Sequence, residues 1–357
     1  MSAKRIGPRD DLALMEGYHS PQVDVAVRLN TNESPYPPPA AFGERLAAAV
    51  ADVQWHRYPD RAAVELRTRI GALHGVGRDS VFAANGSNEV LQTLLLTYAG
   101  FGRTVATFEP TYALHAHIAR LCGAGVIEGE RDDNFVLHLD EIDRVLAEGD
   151  PRVLFLCSPN NPTGREEPRD LVEAVLDRMT DRGGLLVVDE AYGQFASWSA
   201  VDLITEDTPL VVTRTYSKTW SMAAARLGYL VGPRWVVAEL DKVVLPYHLD
   251  VLKQRAGVIA LDLAQDMEHR VAAVVAERDR VLGELADLAV DVWPSGANFV
   301  LFRPQRRSGP EVWNSLLAHG VLVRNCASWP RLDGCLRVTI GTPAEDDEFL
   351  AALKEAL

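Results

Sequence analysis

A chain of 357 residues, 47% hydrophobic and 24% charged, is longer than one hydrophobic core serves and too apolar for a disordered polymer, so two packed domains are expected. Its formal charge of −14 is repelled by nucleic acid and anionic membranes, no apolar run approaches the roughly 18 residues of a bilayer span, and Lys4 and Arg5 are followed by no apolar leader core; the expected compartment is the cytoplasm. Four cysteines, Cys122, Cys157, Cys326 and Cys335, stand at no CxxC spacing, which leaves them as small core residues rather than metal ligands or a disulfide framework, and HExxH, GxxxxGK[ST] and GxGxxG are all missing.

In chain order, the opening arm ends in Ser34-Pro35-Tyr36-Pro37-Pro38-Pro39, where fixed φ angles and missing N–H groups favour an extended course. Gly86-Ser87-Asn88-Glu89 then opens an apolar-periodic stretch (Val90, Leu91, Leu94, Leu95), a helix start whose free N–H groups favour phosphate, although for this motif alone a plain cap is the better reading. From about 57 to 249, short β-branched runs at 104–108, 153–157, 185–188 and 210–213 alternate with longer amphipathic stretches. Such alternation predicts an α/β fold with a mainly parallel sheet covered by helices. Apolar residues recur at helical spacing over 253–288, predicting long helices that join two domains. The end of the chain is α+β in character, with strands expected at 290–293, 299–302, 321–323 and 336–340, a proline-started helix at 310–319 and a last helix at 345–357. The division this predicts is 1–40 as an arm and part of the small domain, 41–265 as the large domain, and 266–357 as the small α+β domain.

Ligands of an open α/β sheet sit beyond the carboxyl ends of its strands. The run 153–157 is followed by Ser158-Pro159-Asn160-Asn161-Pro162-Thr163-Gly164, the run 185–188 by Asp189-Glu190-Ala191-Tyr192, and the run 210–213 by Arg214-Thr215-Tyr216-Ser217-Lys218. Alone, a lysine in such a place is a solvated surface residue, and Asp189 is a helix cap. Together they supply what an amine-transfer cofactor requires: an amine to carry it, a carboxylate to hold a pyridine nitrogen protonated, and an anion cradle.

The ordered set Gly86-Ser87-Asn88-Glu89, Pro110-Thr111-Tyr112, the stretch 158–164, Asp189-Glu190-Ala191-Tyr192, Ser217-Lys218 and Arg226 resembles the fold-type I pyridoxal-phosphate aminotransferases, and within them the histidinol-phosphate branch, over essentially the whole chain. The resemblance implies a seven-stranded type of large-domain sheet and pyridoxal 5'-phosphate as cofactor. It implies Lys218 as the Schiff-base lysine, Asp189 on the pyridine nitrogen, Asn161 and Tyr192 on the phenolic oxygen, and Tyr112 stacked on the ring. Ser87, Asn88, Thr215, Ser217 and Arg226 would hold the phosphate with Tyr58 from a second subunit, so that a homodimer shares its active sites. Lys218, Asp189 and Tyr192 form the implied catalytic set.

Similarity to the histidinol-phosphate branch rests on Gly17-Tyr18-His19-Ser20, Asn30-Thr31-Asn32-Glu33-Ser34-Pro35-Tyr36, Pro246-Tyr247-His248-Leu249 and the pair Arg324 and Arg337. It implies that Tyr18 from the partner, Asn32, Asn88, Tyr247, Arg324 and Arg337 bind substrate; a guanidinium fork suits phosphate and carboxylate alike. The implied reaction is reversible transamination of L-histidinol phosphate with 2-oxoglutarate. An aromatic or broad-range aminotransferase and a threonine-phosphate decarboxylase are the alternatives. His19, His115, His117 and His248 stay out of the catalytic set, because the lysine itself can move the proton. Two departures from the family pattern are Asn88 where an acidic residue is frequent and the stretch 219–226, where Trp220 and Ala225 are expected to narrow the wall beside the lysine.

Overall fold

The computed structural model describes residues 23–357 together with Ile6, Gly7, Arg9, Leu12 and Gly17; Tyr18 lies outside the described residues. After strand β1 (Val27–Leu29), helices α1 (Ala40–Ala51) and α2 (Val64–Leu73) lead into a seven-stranded sheet. Its strands are β2 (Val81–Ala84), β3 (Thr104–Glu109), β4 (Gly125–Glu130), β5 (Val153–Cys157), β6 (Leu185–Asp189), β7 (Leu210–Thr215) and β8 (Gly228–Val231), in the order β2-β8-β7-β6-β5-β3-β4. All pairings are parallel except those of β8, which runs antiparallel to both neighbours. The mainly parallel sheet expected from the alternating pattern is the one observed.

Strands β5, β6 and β7 are buried along their whole length, as befits a sheet covered on both faces. Their side chains alternate between two cores. Val153, Phe155, Leu185, Val187 and Val211 pack with α3 (Ser87–Tyr98) and, further along the chain, α7 (Arg234–Val243). Leu154, Leu156, Leu186, Val188 and Val212 face α5 (Leu139–Gly149) and α6 (Arg169–Asp181). The short helix α4 (Leu114–Leu121) completes the first layer through Ile118 and Ala119.

Two helices then carry the chain away, α8 (Val251–Leu261) and α9 (Ala264–Ala286). At 23 residues α9 extends roughly 34 Å at 1.5 Å per residue; Met267 joins the core beneath α2 and α8, while Val274, Val281 and Leu285 join that of the second sheet. This sheet has the order β1-β11-β12-β10-β9, formed by β9 (Val290–Val292), β10 (Phe299–Pro304), β11 (Val321–Asn325) and β12 (Leu336–Thr339) with β1 paired parallel to β11. Helices α10 (Gly309–Ala318) and α11 (Pro343–Ala356) cover it beside α9. Both start with a capping box, Ser308 with Glu311 and Thr342 with Glu345, and a proline in the first turn, which satisfies their first free N–H groups and fixes where each helix begins.

The four cysteines are free, three of them buried. No helix among the described residues is long and apolar enough to cross a membrane.

Candidate active site

Lys218 stands three residues beyond β7, in a loop pinned to β8 by the Tyr216 amide on the Leu227 carbonyl at 2.9 Å. Its amine donates to the Thr31 carbonyl at 3.0 Å and lies 5.6 Å above the centre of the Tyr192 ring. Burial and the nearby Arg337 guanidinium together bring its pKa down from 10.5 to about 7, against the opposing pull of Glu33. The amine is thus available as a free base near neutrality.

Asp189 closes β6 and is 1% exposed. Its Oδ2 meets His115 Nε2 at 2.8 Å, and its Oδ1 accepts from Thr213 Oγ1 at 3.0 Å and from the Ala191 amide at 3.2 Å. His115, fully buried on α4, is stacked on Phe155 at 4.5 Å and met edge-on by Tyr112 at 5.3 Å. A buried carboxylate held by three donors keeps a fixed direction.

Opposite this lies a helix start. Gly86 adopts φ +80° and gives α3 no side-chain cap, so the first amides of α3 are left to a ligand. A β-carbon at Gly86 would lie 2.8 Å from Arg226 Nη2, and one at Gly228 would lie 2.3 Å from the Ser87 amide nitrogen. Backbone and guanidinium therefore approach this closely only because both positions are glycine. Arg226 Nη1 donates to Ser217 Oγ at 3.1 Å, and Thr215 Oγ1 to Ser217 Oγ at 3.0 Å. Ser87, Asn88, Thr215, Ser217 and Arg226 thus bring their donors to one cavity.

The second sheet supplies the facing wall. Arg337 on β12 is 5% exposed and donates to Asn161 Oδ1 at 2.5 Å and to the Asn30 carbonyl at 2.9 Å, while its buried Nε has no acceptor among the described residues. Asn32, at φ +55°, is gripped by Thr339 through its amide and its side-chain oxygen, and donates Nδ2 to the Tyr192 hydroxyl at 2.9 Å. Burial pushes the Tyr192 hydroxyl up to about 12, so it keeps its proton at neutral pH. Asn160 orders the loop carrying Asn161 by donating to the Pro110 carbonyl at 2.9 Å and to Thr163 Oγ1 at 2.8 Å.

One cavity of about 240 Å³ between the two sheets is lined by Asn32, Ser87, Asn88, Tyr112, Asn161, Asp189, Tyr192, Thr215, Ser217, Lys218, Arg226 and Arg337 from the expected set. Three expected residues are elsewhere in this chain. Tyr58 and Tyr247 stack on each other at 4.4 Å, 79% and 42% exposed. Arg324 pairs in register with Arg337 but sits with its guanidinium 5.7 Å over the Trp329 ring, outside the cavity lining. The expectation that Trp220 narrows the wall is corrected: it is 2% exposed and packs against Tyr216 in the core beneath α2 and α8, because an indole beside a buried aromatic cluster gains more there than at a wet rim.

Reading the sequence gave no place at the site to Cys157 and Trp329, which line the cavity, quoted Asn30 only as part of a motif, and named His115 without foreseeing its bond to Asp189. The three-residue step from Tyr112 to His115 at the start of a helix was the available signal for the histidine. Trp329 lies in a loop and had none.

The aminotransferase class I and II family model matches residues 24–353. Histidinol-phosphate aminotransferase of Mycolicibacterium smegmatis is 45% identical over 96% of this chain and 92% of its own length. The protein of the same name from Frankia casuarinae is 43% identical over 98% and 90%. Among solved structures, histidinol-phosphate aminotransferase from Sinorhizobium meliloti in complex with pyridoxal-5'-phosphate superposes with a TM-score of 0.83 at 22% identity, covering 93% of this chain and 91% of that one, a likeness of fold.

Proposed function

We propose, for a chain that belongs to the aminotransferase class I and II family, that its cavity binds pyridoxal 5'-phosphate and exchanges an amino group between L-histidinol phosphate and 2-oxoglutarate, with imidazole-acetol phosphate and L-glutamate as products. The observation that carries this reading is a cavity with two separate cationic stations, the Arg226 cradle at the start of α3 and Arg337 on the second sheet, with the Lys218 amine in the same lining. One station suits the cofactor's phosphate and the other the substrate's anionic end.

The residues fit the cofactor. The glycine-only approach of Arg226 to the uncapped helix start offers donors to a phosphate, and the rigidly held Asp189 offers a carboxylate to a ring nitrogen. Bound there, pyridoxal phosphate supplies an electron-withdrawing ring that makes the α-hydrogen of an amine removable. Ser87, Asn88, Thr215, Ser217 and Arg226 would hold the phosphate, Tyr112 would cover the ring, and Asn161 with Tyr192 would meet its oxygen substituent. Lys218 Nζ, a free base near pH 7, takes the proton from the donor's α-carbon and returns it one position away. Arg337, whose Nε is still without an acceptor, clamps the phosphate of one substrate and a carboxylate of the other in turn.

A homodimer is part of the reading: the family resemblance has Tyr58 serve the partner's cavity, and the exposed Trp55, Tyr58, Leu245 and Tyr247 offer apolar surface to a second copy. Steady-state assays of the cofactor-loaded protein test the proposal. Glutamate is expected to form from 2-oxoglutarate and L-histidinol phosphate with the parallel-line kinetics of two half-reactions. Equal efficiency with L-phenylalanine points to a broad-range aminotransferase; carbon dioxide release from threonine phosphate without an oxo-acid points to a lyase.

A further inference from the structure

Three aromatic side chains line the cavity: Tyr112, Tyr192 and Trp329. The first two are committed. Tyr112 donates its hydroxyl to Asn88 at 3.2 Å and abuts His115, on the side of the helix start. Tyr192 lies beneath the Lys218 amine and accepts from Asn32. Trp329 is different: it belongs to the connection between β11 and β12, the two strands that carry Arg324 and Arg337.

That connection is anchored on both sides of the indole. Cys326, Leu332 and Cys335 are fully buried in a small cluster with Phe135 and Trp293. Arg331 reaches across to the end of β4 in the seven-stranded sheet, pairing with Glu130 at 2.6 Å and Asp133 at 2.9 Å. Backbone bonds from the Trp329 amide to Cys326 and from the Leu332 amide to the Trp329 carbonyl close the turn. The indole itself is half-buried: it packs against that cluster, carries the Arg324 guanidinium over its ring, and lines the cavity with part of its remaining surface. A large aromatic side chain held this firmly at a wet boundary gains stacking area when a flat ring is laid against it.

Resting on the function proposed above, we infer that Trp329 is a specificity-determining residue: its indole forms the wall against which the planar ring of the amino donor packs, beside Arg337, which takes the anionic end. A donor without a ring, such as glutamate, uses Arg337 and gains little from the indole. The discrimination between donors is therefore set by a loop residue of the small sheet.

The test compares wild type with Trp329→Leu and Trp329→Phe as cofactor-loaded enzymes, measuring kcat/KM for L-histidinol phosphate, L-phenylalanine and L-glutamate, and donor-induced quenching of tryptophan fluorescence. The expected result is that Trp329→Leu lowers kcat/KM for the ring-bearing donor about ten-fold more than for glutamate, that Trp329→Phe restores most of the difference, and that quenching weakens in both variants. An equal fall for all donors, the mark of a merely structural residue, overturns the inference, as does a ring-to-glutamate ratio unchanged in Trp329→Leu. If wild type uses phenylalanine but not histidinol phosphate, the substrate reading fails and the phenylalanine-to-glutamate ratio alone decides the role of Trp329. If neither ring-bearing donor is used, both fall together.

Discussion

The two walls of the cavity are built in opposite ways. On the large-sheet side, Asp189 and Lys218 are the ends or near-continuations of β6 and β7, strands buried from end to end, so chemistry is mounted on the stiffest part of the molecule. On the other side, Asn32, Arg337 and Trp329 come from the arm, from β12 and from a loop nearly 300 residues later, and they meet only because β1 pairs in parallel with β11. A rigid rim suits a cofactor that stays; an assembled wall suits substrates that alternate. The division teaches that losses on the first wall should appear in kcat, and those on the second in KM and donor preference.

Removing the amine breaks the comparison most severely. Lys218→Ala should lower kcat by about 10⁴-fold or more in single-turnover measurements, since the proton carrier is gone while the second wall is intact. Asp189→Asn comes next, with an expected loss of roughly 100- to 1000-fold in kcat, because it leaves His115 without its anionic partner and the ring nitrogen without a counter-charge. Arg337→Leu acts from the other wall and should raise KM for both anionic substrates by about 10- to 100-fold, the worth of lost charge-assisted hydrogen bonds.

The same arginine also links the walls electrostatically. Its charge is the second cause, after burial, of the depressed Lys218 amine. In the cofactor-free protein, reaction of Lys218 with a small aldehyde should rise with pH and level off above an inflection near 7, and Arg337→Leu should move that inflection upward. An unmoved inflection would show that the walls act independently.

The smallest effect belongs to the small sheet alone. Asp346 on α11 is fully buried, accepts from the Gly341 amide at 3.0 Å, and is raised from 3.8 to about 7 by burial, with Glu277 adding to the rise. Its folded pKa exceeds the unfolded one, so the stabilisation from its retained proton is complete below the unfolded value and is lost as pH rises through about 7. Thermal midpoints of wild type should therefore fall relative to Asp346→Asn as pH rises from about 5 to 8, with kcat at the large-sheet rim little changed.

Legibility in the sequence followed the same division. Strands β5, β6 and β7 announced themselves as continuous apolar runs, and the polar residues just past them are the ones that line the cavity. The four strands left unread carry weaker patterns. β1 has three residues; β2 and β8 have four each; β4 is an exposed edge in which Glu128 and Glu130 interrupt the apolar pattern. The second wall was named through resemblance, from Asn32 and Arg337, but its geometry depends on pairings between distant segments that no local pattern encodes. Trp329 shows the limit most clearly: a lone tryptophan in a polar loop gains its place from Arg324 and from the Arg331 contacts with Glu130 and Asp133 at the end of β4.

One half-reaction tests the central claim directly: L-histidinol phosphate is added to the cofactor-loaded protein without any oxo-acid, and the keto product is counted per active site beside the Lys218→Ala variant. The account predicts one equivalent of imidazole-acetol phosphate at micromolar donor, in preference to any product from L-phenylalanine, with none from the variant. Product from phenylalanine at equal efficiency, or an equivalent formed by Lys218→Ala at the wild-type rate, would contradict it.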